Sequence, residues 1–474
     1  MVLLNEFGRP GGSVTRRGFL HRTAGAGMLG SAAAISAGCA TSGGGGNKSV
    51  GHKAATRKNP LGVKADAPLA VYIFKGGDGD AYAKFDVKMF THEFPKAHIT
   101  YRADPGIETV LQKLFVQGKP PDVVPYTSDF ASLIADGRIA DLTGLLDAPA
   151  FDTPGKSVRE TLLPNVVETG TFGKKPYVLN YTSEVFGVWY SRSLFEQRGW
   201  DYPHTWDAML ALCRKIKKAG IAPWTFQGKY PGYVVSPLLA MAGKAGGPDV
   251  LKSIDNLVPN AWHHESVEMA AARFQELVQK KYILPGSSGL TNTQSQLYWT
   301  QHKAAFIPCG SWLENEMSTI TPTGFDMVIA PTPSISASDA MPFEAIQSGP
   351  AGGFIVPEQA TNKYGGLEFL RIMLSQKASK EYSRLTHSLT SVSGYADGMT
   401  ISSGFSSCRD AVSAAGTNAL WWQFSAWYPK LEIAVEAATG ELMADRIDPG
   451  EWVKRCQKAA DDTAKDSTVT KYTR

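Results

Sequence analysis

The apolar positions from Leu69 onward alternate between short strand-like runs and helix-length amphipathic stretches. Strands are predicted at 69–74, 98–104 and 122–126, with helices at 81–94 and 107–117. This β-α-β-α-β order predicts a parallel sheet with helices on its faces.

Ligands bind such sheets at the carboxyl ends of the strands, so the loops 74–80 (FKGGDGD) and 126–130 (YTSDF) are candidate site loops. The alternative is ordinary turn chemistry, with Ser128 capping the following helix. The GGDGD run lacks the residues of a dinucleotide fingerprint, a P-loop or a calcium loop. Asp78, Asp80 and Asp86 are therefore expected to be solvated turn carboxylates.

The pattern continues with a strand over 185–190 and two marked helices. One begins at a predicted N-cap, Thr205, places Met209, Leu212, Cys213 and Ile216 on one face, and ends at Gly220. The other starts at Ser266 and carries one apolar face through 278. Cys213 is accordingly expected in the core.

The stretch 298–317 (YWTQHKAAFIPCGSWLENEM) predicts the end of a helix, a strand over 304–307, a Cys-Gly turn and a new helix opened by Trp312. An indole placed after a glycine turn is presented at a surface, where its flat apolar face suits a sugar ring. The alternative is that Trp312 is ordinary core, because Trp is usually mostly buried.

Composition allows two or three domains in 474 residues, with 43% hydrophobic and 19% charged residues. Four arginines and Glu6 contribute +3 of the formal charge of +4 before Cys39. The remainder is nearly neutral, which argues against nucleic acid as a partner.

The N-terminal segment carries a twin-arginine pair, Arg16 and Arg17, followed by a weakly apolar run that ends at Cys39. This pattern indicates a Tat-type export signal over residues 1–38. A retained membrane helix is the alternative, but the run is short and rich in Gly and Ala.

Ser36-Ala37-Gly38-Cys39 resembles a bacterial lipobox, although Leu is more usual at the position of Ser36. The resemblance implies that Cys39 is lipidated, and the Gly-rich stretch 39–60 is expected to be a flexible tether. The other cysteines show no metal or redox spacing, and their pairing stays open. No cofactor or metal is expected.

Taken in order, the blocks FKGG, PDVV, FGVWYSRSLF, TWDAML, HKAAFIPCGSWLENE, GGFIVPEQA and ELMADRIDPGEW resemble the extracellular solute-binding proteins of carbohydrate ABC importers. Within that family the chain is most similar to the N-acetylglucosamine/diacetylchitobiose-binding lipoproteins of actinobacteria. The resemblance covers nearly the whole chain after Leu61.

The resemblance implies an α/β fold of the two-lobed, type II periplasmic-binding-protein kind, in which each lobe is a sheet flanked by helices and the ligand cleft lies between the lobes. The chain, 61–474, is expected to cross between them. Lobe 1 would hold roughly 61–180 and part of 320–400, and lobe 2 roughly 185–310 and part of 400–474.

The resemblance also implies site residues in the strand-end loops of both lobes. They are Gly76, Gly77, Asp78, Ser128, Asp129, Asn180, Tyr181, Glu184, Gln227, Ser311, Trp312, Gln347, Gly349, Trp422 and Trp427. Aromatic faces and polar edges are what a sugar needs, but the tryptophans, including the cluster WWQFSAWY, could instead fill cores.

The expected function is that of an extracellular receptor for N-acetylglucosamine or diacetylchitobiose, acting as a monomer with a membrane permease and without catalysis. Malto- or cello-oligosaccharides are alternative ligands. An exported glycoside hydrolase is a further alternative, since sequence does not exclude a facing carboxylate pair. An adhesion scaffold would be expected to show repeats, which the sequence lacks.

Overall fold

The computed structural model describes residues 49–126, 130–163, 165–396 and 398–474. The strands are β1 (Leu69–Phe74), β2 (Ile99–Asp104), β3 (Val124–Pro125), β4 (Thr171–Phe172), β5 (Lys175–Pro176), β6 (Leu179–Ser191), β7 (Ala222–Trp224), β8 (Ala304–Gly310), β9 (Met327–Ala330), β10 (Gln347–Ile355) and β11 (Leu389–Thr390).

The helices are α1 (Ala81–Glu93), α2 (Ile107–Val116), α3 (Ala131–Ala135), α4 (Thr143–Leu146), α5 (Val166–Thr169), α6 (Arg192–Arg198), α7 (Trp206–Lys218), α8 (Gly232–Gly246), α9 (Pro248–Asp255), α10 (Glu265–Gln279), α11 (Asn292–Thr300), α12 (Leu313–Met317), α13 (Lys363–Met373), α14 (Gln376–Thr386), α15 (Ser403–Ala415), α16 (Phe424–Trp427), α17 (Pro429–Leu442) and α18 (Pro449–Lys465). Short 3-10 turns lie at Arg159–Thr161, Ala261–His263, Ser287–Gly289 and Gly416–Asn418.

The first strands form the predicted parallel arrangement. β1 pairs in parallel with β2, with Leu69 opposite Ile99. Val71 of β1 also makes a parallel bridge to Val123, just before β3. The carboxyl end of β1 therefore opens into the loop that begins at Lys75.

Strand β6 is the spine of the larger sheet, and its pairings are antiparallel. On one side it pairs first with β10 and then with β9, and on the other first with β11 and then with β8. The change of partners falls between Phe186 and Val188 on the β10–β9 side and between Ser183 and Phe186 on the β11–β8 side. β6 begins at Leu179, well before the predicted 185. The prediction missed its first half because the buried residues there include the polar Asn180, Thr182 and Ser183.

Three clusters of buried side chains pack around these strands. The first core joins β1, α1, α13 and α14 to the start of β6, through residues that include Val71, Phe90, Leu370 and Tyr181. The second core holds much of α7, α8, α10, α17 and α18. The third core joins the later part of β6, including the fully buried Trp189, to β8, β9 and α15. β6 thus passes from one core to another.

The predicted amphipathic helices are confirmed. Met209, Leu212, Cys213 and Ile216 of α7 are all buried, and the chain leaves the helix at Gly220, whose φ is +81°. The side chain of Thr205 makes no capping hydrogen bond. The start of α7 is instead held because the Trp206 N–H donates to the Ser334 carbonyl over 2.8 Å.

Strand β8 runs further than predicted. It continues to Gly310 with every residue buried, so the expected Cys-Gly turn is wrong and the chain turns at Ser311 and Trp312. The Phe186–Gly310 and Gly187–Cys309 pairs with β6 extend the strand to this point. Cys213, Cys309, Cys408 and Cys456 are buried thiols. Within the described ranges no helix has both the length and the apolarity to cross a bilayer.

Candidate functional site

A cavity of about 740 Å³ opens where β6 passes between the cores. One wall is the loop after β1, another is the segment Tyr181–Glu184 of β6, and a third is the Gly352–Phe354 segment of β10. Helices contribute Tyr233 from α8, Asn292 from α11, Trp312 and Glu316 from around α12, and Tyr382 from α14. The cavity thus gathers side chains that lie far apart in sequence.

Asp78 is fixed at the cavity wall by two hydroxyls. Tyr382 Oη donates to Asp78 Oδ2 over 2.6 Å, and Ser388 Oγ donates to Asp78 Oδ1 over 3.1 Å. Burial raises the pKa of this carboxyl in spite of both bonds. The expectation of a solvated turn carboxylate is therefore wrong for Asp78. It is also wrong for Asp86, which is buried in α1 and whose carboxylate oxygens have no hydrogen-bond partner among the described residues.

Glu184 projects from the middle of β6 into the same cavity. In the part of the chain that the structure describes, no hydrogen bond or ion pair to its carboxyl group is found. Burial, together with the negative charge of Asp78, raises the pKa of Glu184 to about 7. This carboxyl group is thus left available to a ligand.

Glu316 is a further carboxyl group at the cavity, which Asp78, Glu184 and Glu108 also line. Gln296 Nε2 donates to Glu316 Oε2 over 2.6 Å, and Asn292 Nδ2 lies 3.5 Å from Oε1. Burial raises the pKa of Glu316, and the charge of Asp78 adds to the rise. Its neighbour Asn315 donates to the carbonyl of Gly77 over 2.5 Å, which ties α12 to the loop after β1.

Two aromatic rings at the cavity are open to solvent. Trp312 is partly exposed, and its indole makes edge contacts with Phe186 at 5.9 Å and Tyr233 at 6.1 Å between centroids. Phe74, at the end of β1, is 50% exposed. A ligand ring would remove both apolar faces from water.

Gly310 is required for the position of Trp312. A Cβ atom added at Gly310 would lie 2.0 Å from the indole ring, closer than two atoms can approach. The strand β8 therefore ends with a residue that leaves room for the ring of Trp312 to fold back beside it.

Three tyrosines line the side of the cavity that faces the first core. Tyr82 stacks near Tyr181 at 5.8 Å between ring centroids, and Tyr382 meets both rings edge-on, at 5.1 and 5.0 Å. Tyr181 is 1% exposed, and its hydroxyl has no hydrogen-bond partner within the described residues. The hydroxyl of Thr182 is likewise buried without a hydrogen-bond partner within the described residues.

A second chamber of about 370 Å³ adjoins the first, since Tyr126, Gly352 and Gly353 line both. Its other walls include Asn180, Gly349, Trp421 and Trp422. The two chambers together form one long cleft.

The tryptophan wall of the second chamber is anchored by a buried ion pair. Arg474 donates to Asp255 over 2.6 Å, and its guanidinium lies 4.0 Å from the centre of the Trp421 ring. The other oxygen of Asp255 accepts the backbone N–H groups of Gln423 and Phe424 at 2.7 and 2.8 Å.

Of the residues predicted from sequence, Gly76, Gly77, Asp78, Tyr181, Glu184 and Trp312 line the first chamber and Asn180, Gly349 and Trp422 the second. Asn180 is mostly committed to the protein, because its amide donates to Thr169 Oγ1 over 2.9 Å. Ser128, Asp129 and Cys39 lie outside the described residues.

Other predicted residues line neither chamber. Gln227 is 0% exposed and donates to the Pro308 carbonyl over 2.8 Å. Ser311 is 2% exposed, and its hydroxyl accepts the Val185 N–H at 3.4 Å. Gln347 has a buried carbonyl oxygen without a partner in the described chain. Trp427 is 8% exposed and lines a separate groove beside Tyr472.

Sequence reasoning missed Tyr233, Glu316 and Tyr382 as site residues, and it included Phe74 only as the first residue of the candidate loop 74–80. Glu316 carried a usable signal, since it follows Trp312 by one helical turn and so shares its face of α12. Phe74 is the last residue of β1 and the first of that candidate loop. Tyr233 and Tyr382 come from helices with no comparable signal. Within the described ranges, no three His, Cys, Asp or Glu side chains are grouped so as to hold a metal ion.

An α/β fold with aromatic rings and carboxyl groups in one cleft defines a protein that binds a small polar molecule. Comparison with known proteins gives the family. Residues 76–380 match the profile of the bacterial extracellular solute-binding proteins, and the chain belongs to that family. The expected family membership is thus confirmed.

A relative found by sequence and two solved structures agree with this assignment. The diacetylchitobiose binding protein NgcE of Streptomyces coelicolor is 31% identical over 420 residues, which cover 87% of this chain and 88% of NgcE. A solved chitin oligosaccharide binding protein superimposes with a TM-score of 0.71 at 20% identity, covering 84% of this chain and 99% of that one. The apo form of RafE from Streptococcus pneumoniae gives a TM-score of 0.68 at 17% identity, covering 84% and 98%. These structures confirm the expected two-lobed type II fold.

Proposed function

We propose that this protein is the extracellular receptor of a carbohydrate ABC importer, which captures N-acetylglucosamine and its dimer, diacetylchitobiose, and delivers them to a membrane permease. The observation that supports this proposal most directly is the first chamber, where the open faces of Trp312 and Phe74 lie with four carboxyl groups, those of Asp78, Glu108, Glu184 and Glu316. Sugar rings have apolar C–H faces and hydroxyl edges, and this chamber offers partners for both.

The choice of an amino sugar is supported by relatives. NgcE is named for diacetylchitobiose, and the solved relative is named for chitin oligosaccharides. Malto- and cello-oligosaccharides are the alternative ligands. An acetamido group differs from a hydroxyl by a methyl, an N–H and a strong carbonyl acceptor, so a site built for it would leave a polar group unpaired when glucose enters.

Transport requires that ligand binding changes the shape of the receptor. We place lobe 1 at roughly 61–180 with part of 320–400, and lobe 2 at roughly 185–310 with part of 400–474. The first core draws its buried residues from 63–181 and from 354–392, which supports the placement of lobe 1. A sugar that contacts both lobes would favour the closed form, which the permease would recognise on a monomeric receptor.

Export and anchoring belong to the same proposal. Residues 1–38 would direct export by the Tat route, and lipidated Cys39 would hold the protein on the outer face of the cell membrane. The stretch 39–60 would be a tether that lets the binding domain move above the surface.

The receptor is proposed to bind sugar without changing it. One observation favours the alternative of a glycoside hydrolase, because Asp78, Glu184 and Glu316 line a single cavity and hydrolysis needs two facing carboxyl groups. The binding experiment must therefore also look for product.

Calorimetry with diacetylchitobiose, cellobiose and maltose in one buffer tests the function. We expect diacetylchitobiose to bind at least roughly a hundredfold more tightly than cellobiose, because buried unpaired polar groups cost about 1–3 kcal/mol each. The recovered sugar should be intact by mass spectrometry.

The possible outcomes separate the alternatives. Equal binding of cellobiose or maltose would refute the amino-sugar assignment and leave the importer receptor standing. Release of N-acetylglucosamine from the dimer in catalytic excess would identify an enzyme.

A further inference from the structure

The second chamber has a wall that regular secondary structure does not hold. Trp421 lies between Leu420, which bridges to the start of β10, and Phe424, where α16 begins. The residues from 421 to 423 belong to no helix or strand. Backbone groups without a helical or sheet partner must find partners elsewhere. The position of this wall therefore depends on side chains that reach it from other parts of the chain.

Two residues supply those partners. Asp255, the last residue of α9, is 0% exposed, and one of its oxygens accepts the backbone N–H groups of Gln423 and Phe424 at 2.7 and 2.8 Å. Arg474 donates from Nε to the other oxygen of Asp255 over 2.6 Å, and from Nη2 to the Trp421 carbonyl over 3.0 Å. The pair therefore holds this segment at both of its ends.

Arg474 is itself held in place through its backbone. Its N–H donates to Asn256 Oδ1 over 2.9 Å, and its carbonyl accepts from Asn256 Nδ2 over 3.1 Å. Two residues earlier, the Tyr472 N–H donates to Tyr428 Oη over 3.0 Å. The guanidinium thus approaches Trp421 from a segment whose position is fixed by hydrogen bonds.

The indole of Trp421 contacts the protein on one face and also lines the second chamber. The guanidinium carbon of Arg474 lies 4.0 Å from the ring centre, within the range of a cation–π contact. The ring keeps partial exposure. A planar guanidinium can stack on an aromatic face, which a lysine ammonium cannot do. Arg474 therefore fixes the orientation of the indole at the chamber wall.

The two chambers meet where side chains are missing. Gly352 and Gly353 line both chambers, and Gly352 has a φ of +61°. A Cβ added at Gly352 would lie 2.7 Å from the Thr182 hydroxyl, and one added at Gly353 would lie 2.6 Å from Val178. The second chamber, at about 370 Å³, is within the size range of small-molecule sites. A chain of sugar rings can therefore extend from the first chamber toward Trp421.

We propose that Arg474, held by Asp255, is a positioning residue that sets the Trp421 ring as a stacking surface for sugar units beyond those in the first chamber. The receptor thereby binds longer chitin fragments more tightly than short ones. A buried ion pair contributes little net stability, because removing two charges from water costs about as much as their attraction returns. This pair instead fixes the geometry of the wall. The inference rests on the proposed function, since it names the length of amino-sugar chain that the same receptor takes.

The test compares N-acetylglucosamine with its fully N-acetylated tetramer by calorimetry on the full chain. We expect the tetramer to bind at least roughly tenfold more tightly, because only the tetramer can occupy both chambers at once. Trp421→Ala should remove most of that advantage and leave the affinity for N-acetylglucosamine within about twofold. Arg474→Gln should lower the tetramer affinity roughly fivefold and spare the monosaccharide, because the indole remains but is no longer held.

Further variants separate positioning from a role in stability. Arg474→Lys keeps a charge beside Asp255 but loses the planar stack, so it should lower the tetramer affinity while thermal melting stays near that of the unmodified protein. In a Trp421→Ala background, Arg474→Gln should weaken tetramer binding little further, since the ring that Arg474 positions is already gone. Arg446→Gln, at an exposed position outside both chambers, is the matched control and should leave both affinities unchanged.

Equal loss of monosaccharide and tetramer affinity in Arg474→Gln would show a role in stability and overturn the inference. Unchanged tetramer affinity in Trp421→Ala or in Arg474→Gln would also refute it. If the unmodified protein binds the tetramer no more tightly than N-acetylglucosamine, the inference fails and the proposed function stands, because an amino sugar is still bound. Failure of N-acetylglucosamine, its dimer and its tetramer alike to bind would overturn the proposed function itself.

Discussion

The ring of Trp312 is both partly exposed and held in place by its neighbours. Its ring is partly open at a cavity, but its edge contacts with Phe186 and Tyr233 hold it in one orientation. A ring that is ordered before the ligand arrives loses little conformational entropy on binding.

We expect Trp312→Ala to weaken sugar binding at least roughly tenfold, about 1.4 kcal/mol, because the ligand loses a whole aromatic contact. The protein should stay folded, since the ring is not fully buried. Calorimetry with diacetylchitobiose measures the change.

The matched control is Trp200→Ala. Trp200 is also partly exposed, it contacts Phe195 at 5.6 Å between ring centroids, and it lines neither chamber. Affinity that is unchanged in Trp312→Ala would place Trp312 in a packing role.

At the scale of elements, the five-residue helix α12 organises one side of the cleft. Trp312 precedes it, Glu316 faces the first chamber, and Asn315 binds the Gly77 carbonyl of the loop after β1. The positions of these three side chains depend on where β8 ends. Its last residue, Gly310, leaves the space that the Trp312 ring occupies.

We expect Gly310→Ala to weaken sugar binding by about tenfold, nearly as much as loss of the Trp312 ring, because its methyl group would displace the indole. Calorimetry measures affinity, and near-ultraviolet circular dichroism reports the tryptophan environment.

Gly289→Ala is the control, since a Cβ there meets no atom within 4 Å. It should leave both signals unchanged. A Gly310→Ala protein with unchanged affinity would show that the indole can relocate without cost.

The elements that sequence predicts well are those with clear periodicity. β1, α1, α2, α7 and α10 lie within a few residues of expectation. The first half of β6 escaped prediction because its buried residues are largely polar, so no apolar alternation marks it. That half carries Tyr181, Thr182 and Glu184, which the chamber uses.

Sequence predicted two kinds of site residue. Asp78 was predicted because it lies in the loop after a strand, and Trp312 because it is an aromatic residue shortly after a glycine. Tyr382 and Ser388 reach Asp78 across more than three hundred positions of sequence, and only folding brings them together. Gln227 was predicted to bind ligand, but its side-chain amide donates a hydrogen bond to the backbone of β8.

At the scale of the whole molecule, the binding domain is one part of a proposed surface assembly. Its N-terminal segment is predicted to determine where the domain works, independently of what it binds. The two properties should therefore separate when Cys39 is changed.

We expect Cys39→Ser to move the protein from the membrane fraction to the culture medium, because it would lose the lipid that anchors it. Immunoblots of both fractions measure this, and calorimetry should give the same sugar affinity. Ser42→Ala, in the tether, is the control and should stay with the membrane. Retention of Cys39→Ser on the membrane would refute the lipoprotein proposal.

The path of the chain has a consequence for recombination among relatives. The first core is assembled from residues before β6 and from α13 and α14, which come almost two hundred positions later. A chimera with a single crossover at β6 would set Leu370 and Tyr382 of one parent against the sheet of another. Exchange of sugar preference between such receptors should therefore require two separate stretches of the gene to be transferred together. We expect recombination at a single site to give a poorly packed first core.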